Sequence, residues 1–295
     1  MSRQKKENIA GILFSLPAII GFLAFSLGPM IASLVMSFTN YSISHPTEFV
    51  GLGNYTELFS GQDTFFWNSV KVTMTFSLMN VPVCIITAFL VALLLNSKKL
   101  RGMTFLRAAF YIPTILPIVA TAMIFMWIMS PDFGLLNAIL EALHLPTSDW
   151  IYGNAALPSL LLMTAWTSGN IMVVFLAGLQ GVPQELYESI EVDGGGAWAK
   201  FWYCTFPHMT PTIFFNTVMF VISSMQAFLP AYIMTQGGPN NKTNFLVYYL
   251  YRVAFEFQNI GKASSLGWVL FVMILVVVGA LFWSSKYWVF YSDES

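Results

Sequence analysis

Charged side chains are scarce in this sequence. Asp, Glu, Lys and Arg make up 9% of the 295 residues, whereas about 25% is usual in a soluble domain. Hydrophobic residues reach 57%, and the formal net charge is −1. So few charges cannot cover the surface of a water-soluble domain, which argues against a soluble enzyme and against a disordered chain. The lack of a basic surface also argues against nucleic acid as a partner. The composition indicates a protein of the lipid bilayer.

Several chemical motifs are missing as well. The two cysteines, Cys84 and Cys204, form no disulfide framework, and the three histidines lack the spacing of metal ligands. No G-x-x-x-x-G-K-[ST] phosphate-binding motif occurs, and neither do the G-x-S-x-G and H-E-x-x-H motifs of hydrolases. We therefore expect that the chain has no catalytic residues and that it binds neither a metal nor ATP itself.

Six long charge-free runs separate the few charged segments. Each run is long enough for a helix of about 20 residues, the length that crosses a bilayer. Continuously apolar stretches such as Ala88–Leu95 favour helices over the alternating strands of a membrane β-barrel. The sequence therefore predicts an all-α membrane protein with one transmembrane domain, 1–295. We place its six spans at about 10–38, 67–95, 104–130, 156–180, 208–235 and 264–290.

The distribution of Lys and Arg predicts the orientation of these spans. With a cytoplasmic N-terminus, nine of these residues lie inside and four outside, as the positive-inside rule favours. The basic stretch 98–101 marks the clearest inside loop, whereas 40–66 and 131–155 carry acids without Lys or Arg and are placed outside. Both termini are then cytoplasmic. The first apolar run is too long for the core of a signal peptide, so we expect a retained anchor.

No charged residue lies at the centre of a predicted span. A carrier driven by protons or ions usually holds ionisable groups at that depth, and we find no inverted repeat of the kind that such carriers contain. This absence points to an energy source outside the membrane core. Two alternatives stay open. One is a self-contained secondary carrier for a neutral solute, and the other is a membrane-embedded enzyme, which needs a nucleophile with a base or a metal cluster.

The inside segment 181–207 interrupts the apolar pattern. Pro183 suits the first turn of a helix, where its missing N–H costs nothing. The run Asp-Gly-Gly-Gly at 193–196 ends that helix, because glycine reaches positive φ at little cost, and 197–201 can start a second one. A solvated loop explains this pattern as well as a docking element for a cytoplasmic partner does. Three acidic residues share one face of the first helix: Glu185, Glu188 and Glu191.

The residues from 188 onward carry a family resemblance. They read Glu188-Ser189-Ile190-Glu191-Val192-Asp193-Gly194-Gly195, then Trp198, Phe201-Trp202 and Phe206-Pro207. This stretch resembles the "EAA" loop of binding-protein-dependent ABC importer permeases, whose pattern runs roughly E-A-A-x-x-D-G-A, then an aromatic-rich helix, then L-P. The departures are Ser189 and Ile190 for two alanines, Gly195 for alanine and Phe206 for leucine. They bear on how closely the helices of the loop pack.

Two further stretches are similar to the carbohydrate-uptake branch of that family, the maltose and glycerol-3-phosphate permease type. One is FVGLGNY at 49–55, and the other is TQGGPNNKT at 235–243, followed by Tyr251, Gly261 and Ala263. The resemblance spans almost the whole chain. It implies a type I importer permease of the bacterial inner membrane, which imports a sugar or an oligosaccharide by alternating access.

The resemblance also implies partners and roles. The partners are a second permease chain of different sequence, two cytoplasmic ATPase subunits that bind ATP and Mg, and an extracytoplasmic solute-binding protein. In this chain the helix at 185–191 would dock on the ATPase, Glu188 would meet a basic partner there, and Asp193 and Gly194 would shape the turn. The residues expected in ATPase coupling are Glu185, Glu188, Glu191, Asp193, Gly194, Gly195, Phe201 and Pro207.

Polar residues near the middle of spans four and five are candidates for a substrate path. Trp166 and Asn170 are four apart, so a continuous helix places them on one face. Amides and hydroxyls can pair with sugar hydroxyls, and aromatic rings can stack on sugar rings. The same side chains can instead hold helices together, and for any one of them that is the simpler explanation. The candidates are Trp166, Thr167, Asn170, Asn216, Phe220, Ser223 and Gln226.

An outside surface is expected to receive the binding protein. It combines 236–262 with a predicted short helix in 133–144, although a cap without a partner explains the pattern equally. The expected contact residues are Gly237, Gly238, Pro239 and Asn240.

Overall fold

A computed structural model describes residues 3–42, 46–97 and 102–290, and these ranges are helical apart from turns and two isolated β-bridges. The predicted basic inside loop at 98–101 lies outside the described residues. Short π-helical turns occur at Leu23–Leu27, Phe201–Thr205, Ala231–Thr235 and Arg252–Glu256. The α-helices are α1 Arg3–Phe22, α2 Gly28–Met36, α3 Gly53–Phe59, α4 Thr64–Asn96, α5 Met103–Ile115, α6 Ile118–Ile128, α7 Leu135–Ala142, α8 Ala156–Trp166, α9 Gly169–Gln180, α10 Gln184–Val192, α11 Ala197–Lys200, α12 Phe206–Met225, α13 Leu246–Tyr251 and α14 Ile260–Ser285.

Within the described ranges, three helices are long and apolar enough to cross a bilayer by themselves: Gly11–Met36, Thr64–Asn96 and Ile260–Ser285. They coincide with the predicted first, second and sixth spans. The predicted third and fourth spans are each a bent pair, with angles of 102° between α5 and α6 and 46° between α8 and α9. The structure thus supports three spans, or five if each pair counts once. The fifth predicted span, 208–235, is divided after Met225, so six spans are not confirmed.

The chain divides into two compact units. One comprises the described parts of Met1–Thr64 together with Leu250–Phe271, and the other Phe65–Tyr249 together with the described parts of Val272–Ser295.

Hydrogen bonds to backbone atoms hold the first unit together around the segment after α2. The Asn54 amide donates to the carbonyl oxygens of Ser37 (2.9 Å) and Thr39 (2.8 Å). The Gly261 N–H donates to the Tyr41 carbonyl oxygen at 2.9 Å, and a Cβ at Gly261 would lie 2.1 Å from the Thr39 oxygen. Only glycine permits this approach. Two residues of the resemblance, Asn54 and Gly261, therefore have a structural role in the first unit.

A cluster of three charges lies in the same unit. The Lys262 ammonium, in the first turn of α14, is 2.7 Å from an Asp63 carboxylate oxygen and 2.8 Å from a Glu57 carboxylate oxygen. The Asp63 side chain is only 4% exposed. Because a buried carboxylate without its cation is costly, this cluster contributes to the stability of the unit.

Replacing Lys262 with methionine is expected to lower the free energy of unfolding by about 3–5 kcal/mol, since the Asp63 carboxylate then stays buried without a cation. The measurement is thermal unfolding of the detergent-purified protein. The matched control is Arg252→Met in the same unit, because its ion pair with Glu256 is more exposed and is expected to contribute about 0.5 kcal/mol or less. Equal losses in both variants would contradict the buried role of Lys262.

In the second unit, two apolar clusters pack on successive parts of α4. Val72 and Phe76 belong to one cluster, with Met163 and Phe245, and residues 81–95 contribute to the other. Asn80 lies between the two and is buried. The polar site described next is therefore enclosed by apolar packing along the helix in both directions.

Candidate functional site

A cavity of about 520 Å³ lies in the second unit, where α4, α6, α8, α9 and the end of α12 meet. None of the lining residues, all of which belong to the described part of the chain, is charged. The lining combines amides, hydroxyls and aromatic rings with aliphatic side chains. It consists of Phe76, Asn80, Ile118, Thr164, Thr167, Ser168, Asn170, Ile171, Phe220, Ser223, Ser224, Gln226, Ala227, Phe228, Leu229 and Pro230.

Asn80 connects three helices at one side of this cavity. Its amide nitrogen donates to the Ser224 hydroxyl on α12 at 3.1 Å. Its amide oxygen accepts from the Thr164 hydroxyl on α8 at 2.6 Å, and the Cys84 thiol is 3.4 Å from the same oxygen. These groups satisfy one another inside the protein. Asn80, Thr164 and Ser224 therefore act as helix–helix contacts.

Three other polar side chains line the cavity without such partners. Among the described residues, no hydrogen bond reaches the side chains of Asn170, Ser223 or Gln226, and all three are exposed. Their amides and hydroxyl are free to pair with a molecule in the cavity. These three side chains are thus distinct from Asn80, Thr164 and Ser224, which hold helices together.

A break between α8 and α9 directs Asn170 into the cavity. The helix is interrupted between Trp166 and Gly169, and a Cβ at Gly169 would lie 2.5 Å from the Phe110 carbonyl oxygen of α5. Close packing of α9 on α5 thus requires glycine. The prediction that Trp166 and Asn170 share a helical face is wrong, because the helix is not continuous between them.

The predicted path residues divide into two groups. Trp166 does not line the cavity and packs against Phe125, with ring centroids 5.4 Å apart. Asn216 is buried and donates to the Thr212 carbonyl oxygen at 2.8 Å. The predicted residues that do line the cavity are Thr167, Asn170, Phe220, Ser223 and Gln226.

Two residues of α4, Phe76 and Asn80, also line the cavity, although they were not among the residues predicted from the sequence. The position of Asn80 in the middle of the long apolar helix α4 was the available signal, since a polar group within a membrane span needs a partner.

The segment 181–207, called the coupling loop for the role that is proposed for it below, forms the two helices that the sequence predicts. Helix α10 ends in a left-handed Gly194 (φ +79°). The Gly195 N–H donates to the Ile190 carbonyl oxygen at 2.8 Å, and the Gly194 N–H donates to the Glu191 carbonyl oxygen at 3.0 Å. These two bonds are those of a Schellman motif, which closes the C-terminus of a helix. The Asp-Gly-Gly sequence therefore sets the angle between α10 and α11.

The three glutamates of α10 differ in their partners. All three are exposed. Glu191 pairs with Lys200 of α11, so it joins the two helices of the loop. Glu188 accepts a hydrogen bond from the Gln184 side chain at 3.0 Å within the same helix. Glu185 lies in the first turn, where the helix dipole favours a negative charge. Glu185 and Glu188 are thus available to an external basic partner.

Aromatic side chains connect the coupling loop to α4. Trp198, Phe201 and Trp202 form a packed group in which the ring centroids are 5.2–6.2 Å apart. The Phe201 ring also lies 6.4 Å from that of Phe89 on α4, and Phe89 lies 5.3 Å from Phe175 on α9. Phe201 is therefore the residue of the loop that reaches the membrane helices.

Two further features stabilise the base of the loop. The Tyr187 and Thr205 hydroxyls are 3.0 Å apart, which joins α10 to the turn before α12. Pro207 lies in the first turn of α12, where its missing N–H is tolerated.

Cys204 is buried, and burial raises the pKa of its thiol, which therefore stays protonated at neutral pH.

The loop after residue 235 is held against α4. Thr243 donates its hydroxyl to the Gly238 carbonyl oxygen at 2.7 Å, and the Asn68 amide donates to the Asn241 carbonyl oxygen at 2.8 Å. Gly237 is buried, and a Cβ there would lie 2.7 Å from the Tyr248 ring. Of the four predicted contact residues, Gly238 and Pro239 are half-buried and Asn240 is exposed.

Comparison with known proteins gives matches along the whole chain. Residues 81–289 match the family described as "Binding-protein-dependent transport system inner membrane component". The "Probable ABC transporter permease protein YesP" of Bacillus subtilis (strain 168) is 39% identical over 98% of this chain and 94% of its own length. The "Arabinooligosaccharides transport system permease protein AraP" of the same organism is 32% identical over 92% of this chain and 87% of its own length.

One solved structure shares the fold. It is the crystal structure of a bacterial alginate ABC transporter in complex with an alginate pentasaccharide-bound periplasmic protein, and the matching chain has a TM-score of 0.84 and 24% identity. The match covers 96% of both chains.

Proposed function

Because this chain belongs to the family of binding-protein-dependent transport system inner membrane components, we propose that it is the permease subunit of an ATP-driven importer for a sugar or an oligosaccharide. It is a multi-pass protein of the bacterial inner membrane and has the type I importer permease fold. The observation that carries the proposal is the cavity whose amides, hydroxyls and aromatic rings are accompanied by no charged residue in its described lining.

The chemistry of the cavity supports an uncharged polyhydroxyl substrate. Sugar hydroxyls both donate and accept, and the Asn170 and Gln226 amides can do the same, while Phe220 offers an apolar ring. A phosphate or a carboxylate would call for Arg or Lys. The relative AraP is named for the transport of arabinooligosaccharides, which supports the same class of substrate.

The coupling loop is the proposed docking element for a separate ATPase subunit. Glu185 and Glu188 offer exposed negative charge, and Trp198 (74% exposed) and Tyr203 (80% exposed) offer apolar surface nearby. A cleft on the ATPase that is rich in Arg or Lys would be complementary to this negative charge. ATP and Mg bind to the ATPase subunits, and their closure moves the loop and the helices as rigid bodies, so that the cavity opens alternately to the two sides of the membrane. This requires that nucleotide binds the two states with different affinity.

The proposed assembly has further members. A second permease chain of different sequence completes the pathway, two ATPase copies dock on the coupling loops, and an extracytoplasmic binding protein delivers the sugar. In this chain Asn240 is the most exposed of the residues proposed to touch the binding protein.

Reconstitution in sealed vesicles tests the proposal. The chain together with its co-purifying subunits is expected to accumulate sugar only with ATP and binding protein present, whereas the chain alone carries nothing. Accumulation by the chain alone under an ion gradient would favour the secondary carrier instead. The ligand that co-purifies with the binding protein identifies the sugar.

Replacing Asn170 with alanine tests the cavity. The variant is expected to lose about 1 kcal/mol of substrate binding, roughly a fivefold higher half-saturation concentration for uptake, with unchanged stability and ATPase docking. The matched control is Asn80→Ala, which leaves the Ser224 and Thr164 hydroxyls without their amide partner and lowers stability by about 1–3 kcal/mol. Unchanged uptake in the Asn170 variant would remove Asn170 from the path.

A further inference from the structure

An apolar stripe on α7 remains outside the proposed function. Leu135 is 58% exposed, Ile139 47% and Leu143 62%. Their spacing of four residues places them on one side of the helix, which we call the apolar flank. Glu141 is exposed about 200° around the helix from the centre of this flank. The helix is therefore amphipathic across its exposed surface, with an apolar flank and an acidic flank.

Asn137, one turn before Glu141, fixes α7 to the segments on either side of it. The buried Asn137 amide nitrogen donates to the carbonyl oxygens of Pro131 (3.1 Å) and Ser148 (3.0 Å). Its oxygen accepts from the Ser148 N–H (3.1 Å) and the Trp150 indole N–H (2.8 Å). Since all four bonds are made inside the segment, the helix cannot rotate to hide its apolar flank.

An apolar face is also exposed on α6, the helix that precedes α7 and contacts it. Met123 is 62% exposed and Trp127, one turn later, is 72% exposed. Phe133, between the two helices, is also exposed. A groove of about 330 Å³ lies between these residues and Tyr152. Helix α6 is one half of a bent pair that, taken together, is long and apolar enough to cross a bilayer.

We propose that α7 lies in the membrane interface, with its apolar flank and the groove beside Trp127 covered by phospholipid acyl chains. Three observations favour lipid. The flank belongs to a helix that follows and contacts α6, whose bent pair with α5 is apolar enough to cross a bilayer. The helix exposes the apolar flank on one side and the charged Glu141 on another, as an interfacial helix does. Trp127 and Tyr152 are exposed amphipathic aromatic residues of the kind that concentrates at the membrane boundary. A soluble protein that docks and leaves would expose the flank to water in every cycle. The proposal is independent of the substrate and of the direction of transport.

Site-specific fluorescence quenching tests this placement. Ile139→Cys and, as the matched control, Glu141→Cys are labelled with an environment-sensitive fluorophore in the full assembly, reconstituted in phosphatidylcholine vesicles. The native Cys84 and Cys204 are buried, and unsubstituted protein gives the labelling background. Two quenchers are compared: doxyl-labelled phosphatidylcholine and iodide present on both sides of the membrane.

The label at 139 is expected to have blue-shifted emission, several-fold stronger quenching by doxyl lipid than the label at 141, and several-fold weaker quenching by iodide. Leu135→Cys gives the same result if the Ile139 variant fails to assemble. Iodide quenching of the two labels to the same extent would overturn the proposal, because the flank then faces water. A label at 139 that neither quencher reaches would overturn it in favour of a partner subunit.

Discussion

Replacing Glu188 with lysine is expected to weaken ATPase docking by about 2 kcal/mol or more, about thirtyfold in affinity, since the substitution places a positive charge opposite a basic cleft. Among the residues that the structure describes, the Glu188 carboxylate accepts a hydrogen bond only from the Gln184 side chain of its own helix, and the residue is exposed. The chain should therefore insert and fold normally. The measurements are the amount of ATPase that co-purifies and the uptake of sugar per ATP hydrolysed.

The matched control for this charge reversal is Glu141→Lys. That glutamate is also exposed on a short helix but belongs to the segment 131–155, away from the coupling loop in sequence and at the other predicted membrane face. We expect it to leave ATPase co-purification unchanged. Normal docking and normal uptake with Glu188→Lys would contradict the role that we propose for α10.

The second large effect is expected at the junction of α10 and α11. A Cβ at Gly195 would lie 2.4 Å from the Ile190 Cγ2 atom and 3.2 Å from the Ala199 Cβ. Gly195→Ala is therefore expected to cost about 1–3 kcal/mol by overpacking and to change the angle between the two helices. That angle sets the orientation of α10 towards the ATPase. We therefore expect the rate of ATP-driven uptake to decrease together with the stability of the loop.

The double variant Ile190→Ala/Gly195→Ala should recover the part of this loss that comes from the Ile190 side chain, whereas the 2.9 Å approach of the new Cβ to the Ile190 carbonyl oxygen remains. Ile190 and Gly195 both stand where the family pattern has alanine, and the structure brings them into contact, so the two departures compensate in volume. Residues in contact show coupling free energies of about 0.5–3 kcal/mol in such a cycle. Thermal stability of the purified assembly and coupled uptake measure it. Strictly additive effects of the two substitutions would contradict the compensation.

Local signals in the sequence predicted the coupling loop well. The Schellman motif at Gly194 and Gly195 depends on residues within one turn of each other, so the Asp-Gly-Gly-Gly run was sufficient to predict where α10 ends. The bend near Pro117 was also predictable, because proline lacks the N–H that a continuous helix needs. The short helix expected in 133–144 is observed as α7.

Features that depend on tertiary packing were not predictable in the same way. The break after Trp166 goes together with α9 packing onto the Phe110 carbonyl, and nothing within 166–170 signals the position of α5. The division of the polar residues into partnered and free side chains depends on which helices meet at Asn80. Periodicity places a residue on a face of its own helix and leaves the identity of the opposite helix undetermined.

The ring of Phe89 lies beside both Phe201 of the coupling loop and Phe175 of α9. One side chain of α4 thus packs against both the coupling loop and α9. Because the Phe89 ring lies between Phe201 and Phe175, we expect a displacement of the loop to move α4 and α9 together. A smaller side chain at position 89 would loosen this contact, so that the two helices could move independently of each other and of the loop.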